Sequence, residues 1–147
     1  MVELLGTETL AQARAALRAT RERLADFPAL HRRVGDAIAG WAERNFDAEG
    51  ALLDDFPSGW PALSPVTLAS RRRRGRGTRI LYDSGRLARG TTVLPSAGEA
   101  VIDNPVPYAA MHQLGLGVPR RPVLPGEPQA SRLALDAAEE HVTGALR

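Results

Sequence analysis

Eight arginines crowd residues 71–89, in "RRRRGRGTRILYDSGRLAR", against the single acid Asp83. Guanidiniums at Arg71, Arg72, Arg73, Arg74, Arg76, Arg79, Arg86 and Arg89 suit phosphate neutralisation, which makes sequence-independent DNA binding one reading. Binding to a single strand or to RNA interleaves aromatics for stacking, and only Tyr82 is available here. A third reading is an arm that meets an acidic surface on a neighbouring subunit. A fourth is a solvated loop that keeps the chain soluble. The segment carries +7 and the rest of the chain −5, so the molecule is polarised rather than uniformly basic. All 19 basic residues are arginine, whose high pKa accounts for the basic isoelectric point without nucleic acid.

Catalytic chemistry finds little to work with. His31, His112 and His141 are far apart in the chain and share no metal-ligand spacing. Ser84, in "YDSGRL", lacks the glycine setting of a nucleophile elbow, and Asp83 and Ser84 are expected to cap the turn that follows. Without lysine there is no phosphate-binding GxxxxGK motif, and Gly75 with Gly77 lacks the third glycine of a dinucleotide turn. No cofactor and no metal are expected, nor an enzyme. His112 falls one helical turn after Tyr108 and is expected to hydrogen-bond within a helix end. Trp60, in "SGWPALSP", is either an exposed partner anchor or a buried plug over its own connector.

The elements that hold these residues follow from periodicity and punctuation. At 147 residues the chain suits one domain with a self-supporting core. It has no cysteine, hence no disulfide or thiolate metal site. No apolar run approaches the roughly 20 residues of a membrane span. The opening "MVELLGTETL" is acidic and lacks a signal-peptide core, so a cytoplasmic site of synthesis is expected.

Residues 7–25 set Leu10, Ala13, Leu17 and Leu24 on one stripe, which predicts an amphipathic helix. Asp26 offers an N-cap and Pro28 a first-turn proline for a second helix over 28–46, with Leu30, Val34, Ile38, Trp41 and Asn45 at helical spacing. A single helix kinked at Pro28 is the alternative.

Glycines and prolines from Gly50 to Pro65 predict an irregular connector. Ser64–Pro65 starts a third helix that ends in arginines, and the tip at 73–79 is expected to be mobile. Strands are predicted at about 91–94 and over "AVID", then a short helix closed by Gly115. "GVPRRPVLPGEP" is extended because its prolines forbid much else. A last amphipathic helix carries Leu133, Ala137, Val142 and Leu146. The fold class is α+β: two N-terminal helices, a small antiparallel sheet with short helices, and a C-terminal helix.

Four segments in order, "GWPALSPVT", "ILYDSGRL", "YAAMHQLG" and "VPRRPVLPG", resemble the phage virion morphogenesis (tail completion) family. Its members include the tail completion protein of temperate myophages and a late morphogenesis protein of Mu-type phages. The resemblance runs from about Phe46 to Gly126. It marks Leu81, Asp83, Ser84, Gly85, Leu87, Tyr108, His112, Gln113 and Gly115 as motif residues that shape the fold.

It implies a structural virion protein of late assembly that completes the tail or joins it to the head. It also implies a homo-oligomeric ring at the neck, read as a hexamer with a dodecamer as the alternative. Neighbouring head–tail connector, tail terminator or tail-tube proteins would be its partners, with passing contact to packaged DNA and none to a membrane. The rival is a small nucleic-acid-binding protein that works through residues 71–79. Candidate partner contacts are Arg71, Arg72, Arg73, Arg74, Arg76, Arg79, Trp60, Pro119, Arg120, Arg121 and Pro122. The segment "VPRRPVLP" is expected to lie extended on a neighbour, its prolines lowering the entropy lost on docking. Its deletion would then leave a folded monomer that cannot assemble.

Overall fold

The computed structural model describes residues 2–144, with side chains from Glu8 onward; Leu146 of the predicted last helix lies outside the described residues. The chain order is α1 (Val2–Ala25), α2 (Phe27–Asp47), α3 (Pro65–Arg73), β1 (Thr92–Pro95), β2 (Ala100–Asp103), α4 (Ala109–Leu114) and α5 (Glu127–Thr143). The class is α+β, as the sequence predicts.

The break between the first two helices is local chemistry. Asp26 leaves the helical conformation, and its carboxylate accepts from Ala29 N at 3.2 Å, with Pro28 in the first turn of α2. One kinked helix is therefore excluded. Ser64 caps α3 in the same way, accepting from Thr67 N at 3.2 Å. β1 and β2 form an antiparallel hairpin with Thr92 opposite Asp103 and Pro95 opposite Ala100. The hairpin lies on α2 at Gly35, where any Cβ would collide with Val93.

α2 is the hub, packing against α5 and both strands. Trp41, Ala42 and Phe46 on its inner face meet Leu53, Trp60, Leu87, Val106, Ala109 and Val123 in one core. Phe46 and Trp60 stack edge to face, with ring centroids 5.3 Å apart. Gly50, at φ +88°, turns the connector where a side chain would strike the Trp60 ring. Trp60 is thus the buried plug and not a surface anchor, and its indole N–H donates to Pro122 O at 3.0 Å.

Two expectations change. The Pro-rich segment is extended, but it runs through the chain's own core rather than over a neighbour. Arg121, Pro122 and Val123 are all buried, because the connector and α4 close over them. Removing residues 118–125 would take out part of the core, so a folded remnant is not expected. The second change concerns α1. Leu10, Leu17 and Leu24 are about half exposed or more, and among the described side chains of α1 the partly covered ones begin at Ala16. In its last turn Arg23 donates to His141 O at 3.0 Å.

Candidate functional site

The arginine segment divides by depth. Arg71 is buried at the end of α3 and donates through Nη1 to Arg79 O at 2.6 Å and Gly77 O at 3.3 Å, closing the loop on itself. Its Nε lies 3.7 Å from Asp83 Oδ1, and Arg76 pairs with the other oxygen of the same carboxylate. Asp83 therefore serves as the loop's counter-ion rather than as a turn cap. Arg79 donates to Asp47 Oδ1 at 2.9 Å and lies over the Tyr82 ring, 4.4 Å from its centroid. Tyr82 is thereby occupied as a stacking face. Arg74 folds back onto Ser70. Arg72 and Arg73 point to solvent with no partner among the described residues.

The second basic segment repeats the pattern. Arg121 is buried, donating through Nε to Pro61 O at 2.8 Å and through Nη2 to Ala62 O at 2.9 Å. It thus ties the Pro-rich segment 118–125, the strap, to a connector 60 residues away. Arg120 beside it is half exposed, 3.8 Å from Asp55 and over the Phe56 ring. Pro119 is exposed. Of the residues read as partner contacts, Trp60, Arg71, Arg121 and Pro122 are withdrawn into the interior; the others stay at the surface.

The motif residues gather around these arginines. Ile80 N donates to Glu49 Oε1 at 2.7 Å, and Leu81 takes a left-handed conformation at φ +56°. Such a conformation in a branched residue costs roughly 1–2 kcal/mol and is held by its surroundings. Ser84 Oγ accepts weakly from Arg86 N at 3.4 Å. Gly85, at φ +74°, leaves room for the Arg89 guanidinium, which donates to Ser84 O at 3.0 Å. Leu87 is core, and its carbonyl accepts from the buried Asn104 amide at 2.8 Å. Asn104 escaped sequence reading because it looks like any turn asparagine before proline.

α4 supplies the other wall. Gln113 clamps the strap: its Oε1 accepts from Val123 N at 2.8 Å and Leu124 N at 3.0 Å, while Nε2 donates to Leu124 O at 3.1 Å. Gly115, at φ +73°, ends the helix where Arg120 passes. Tyr108 and His112 meet edge to face at 6.4 Å. The expected histidine hydrogen bond is absent. Neither ring nitrogen of His112 has a partner among the described residues, and Nδ1 is shut off from solvent. Burial, and then the charge of Arg121, hold the imidazole below its ordinary pKa, which favours the neutral ring. Arg121 is itself pushed down by burial and by Arg71, while remaining a cation.

A cleft with two lobes opens among these groups. One lobe, of about 290 Å³, lies between the 83–87 turn and α4; the other, of about 380 Å³, lies between the start of α3 and the strap. Arg71, Leu81 and His112 line both. Among the described residues no group of three or more His, Asp or Glu is placed to hold a metal ion. None of the described helices is long and apolar enough to cross a membrane.

A small α+β body whose motif residues serve architecture suits a component of a larger assembly. Residues 7–143 match the profile of the phage virion morphogenesis family, and the chain belongs to that family. It is 32% identical over 139 residues to "Putative capsid assembly protein G" of Escherichia phage Mu, a match that covers 87% of this chain and 84% of that protein. No solved structure matches. The family and this relative support a part in phage assembly and an association with the virion.

Proposed function

We propose that this chain is a non-enzymatic structural subunit of a homo-oligomeric ring at the phage neck. It completes the tail or joins it to the head, in contact with connector and tail terminator or tail-tube proteins. The family match across nearly the whole chain carries this reading. The structure supports it through what is left uncovered. The Leu10–Leu17–Leu24 stripe of α1 stays about half exposed or more, and Arg72 and Arg73 have no partner among the described residues. Self-complementary or heterologous patches of this kind are what closed rings are built from.

Sedimentation of the purified chain, alone and mixed with the connector protein of the same phage, tests the ring. A discrete hexamer or dodecamer supports the reading, and a monomer in both samples contradicts it. The rival rests on Arg72 and Arg73, free to meet phosphates. It requires DNA affinity that falls steeply with salt and flattens when both become alanine. The neck reading expects weak binding that these changes leave nearly intact.

A further inference from the structure

Arg71 and Arg121 are each more than nine-tenths buried, yet only Arg71 has a carboxylate beside it. That carboxylate, Asp83, is shared with Arg76 and stands 3.7 Å from Arg71. Arg121 has only main-chain carbonyls, so its charge is solvated by dipoles and not neutralised. Buried guanidiniums are costly unless paired with an anion. His112 stands in the same cleft with both nitrogens unpartnered and one of them sealed from water, itself an uncommon condition for a buried polar atom. Two cations and an unused imidazole thus converge on one space, beside the apolar face of Leu81.

We propose that this cleft receives an Asp or Glu carboxylate, flanked by aliphatic residues, from an extended segment of another virion protein. The carboxylate completes the charge of Arg71 and Arg121 and accepts from His112 Nε2–H, the ring nitrogen that is not shut off. The adjoining aliphatic side chains cover Leu81. Guanidinium forks match planar carboxylates bidentately, and the two lobes pass a strand of chain along the recess. Duplex DNA carries its phosphates on a broad, stiff surface and cannot lower them to a recessed guanidinium. That the donor is a virion protein rests on the assembly reading; the preference for a carboxylate rests on the cleft alone.

The test is a titration of the purified full-length chain with a panel of capped pentapeptides. Each has a central Glu between aliphatic residues, and a matching panel has Gln instead. Inorganic phosphate and a DNA oligonucleotide run as further arms. Histidine-ring NMR signals are the readout, with His31 and His141 as internal controls. The expected result is saturable movement of the His112 signals by the Glu panel, with binding about tenfold or more weaker for the Gln panel.

Arg121→Gln should abolish the effect. Because it also removes internal ties, Ser84→Trp provides a second variant, at an exposed position on the cleft wall. It should melt like the parent and bind about tenfold or more weaker. Equal binding of Glu and Gln peptides, or a static His112 signal, overturns the proposal. So does tighter binding of phosphate or DNA than of peptide. Self-association that Ser84→Trp dissolves would make the occupant a second copy and overturn the separate partner. Any of these failures leaves the neck ring standing, since sedimentation tests that independently.

Discussion

α1 and α2 are neighbours of similar length and both read as amphipathic, yet they end in opposite surroundings. On α2, Ile38, Trp41 and Phe46 are buried under α5, the hairpin and the connector. On α1, Leu17 is 71% exposed, and Leu10 and Leu24 of the same stripe are only about half covered. The difference lies in volume and in the closeness of partners. The face of α2 carries large rings and one glycine that lets β1 approach, so other elements can fold onto it. The face of α1 carries leucines seven residues apart with small or polar residues between them, and its hydrogen bond to α5 is made in the last turn, by Arg23. A period thus identifies a face that favours cover, while its cover can lie outside the chain. The arginines teach the same lesson: adjacent in sequence, Arg71 is a strut and Arg72 is free.

The sharpest way to break this contrast is to remove the strap. Deletion of residues 118–125 is expected to abolish cooperative unfolding, because Arg121, Pro122 and Val123 leave the core together. A normal thermal melt would show that the strap only rests on the body. Next in size, Phe46→Ala should cost about 3–5 kcal/mol in urea denaturation, as buried aromatics do. Arg121→Ala should cost about 1–3 kcal/mol, since it strands the Pro61 and Ala62 carbonyls.

At the other pole, Leu17→Ser on α1 should stay within about 0.5 kcal/mol of the parent. The same change should weaken ring formation in sedimentation. A stability loss comparable to that of Phe46→Ala would erase the distinction between the helices.

The smallest effect is with pH. His112 has a folded pKa below its ordinary value, so the unfolded chain takes up the proton first as pH falls. Stability should therefore decline as pH falls through about 6.5 towards the folded pKa. It should decline less in His112→Gln, as followed by melting at stepped pH. No difference between the two would remove His112 from the electrostatics of the cleft.

Much of the fold was legible in the chain because its signals are local. Asp26 with Pro28, Ser64 with Pro65, and Gly115 each act within one turn, and each sits where the sequence places it. The "PSAGE" hairpin is equally local, with Ser96 N donating to Glu99 O at 2.8 Å. The site was not legible in this way. Prolines say that 118–125 is extended but not whether it runs outside or through the core; that depends on carbonyls at Pro61 and Ala62 and on the side chain of Gln113. Helix phase turns Arg71 inward and Arg72 outward, a difference that composition cannot carry. The orphaned nitrogens of His112 appear only once α3, the 81–87 turn and α4 are set side by side. Of the motif residues, Leu81, Asp83, Ser84, Gly85, Leu87, Tyr108 and His112 line the cleft, while Gln113 holds the 118–125 segment.

If the chain works as a part of the particle rather than on nucleic acid, particles made without it are incomplete. Electron micrographs of particles assembled with and without it test that claim most directly. Without it, filled heads are expected to stand apart from tails, or tails to end unfinished at the proximal end. The chain supplied in trans should restore joined particles. Complete, joined particles in undiminished number without it would rule out a part for the chain in tail completion or joining.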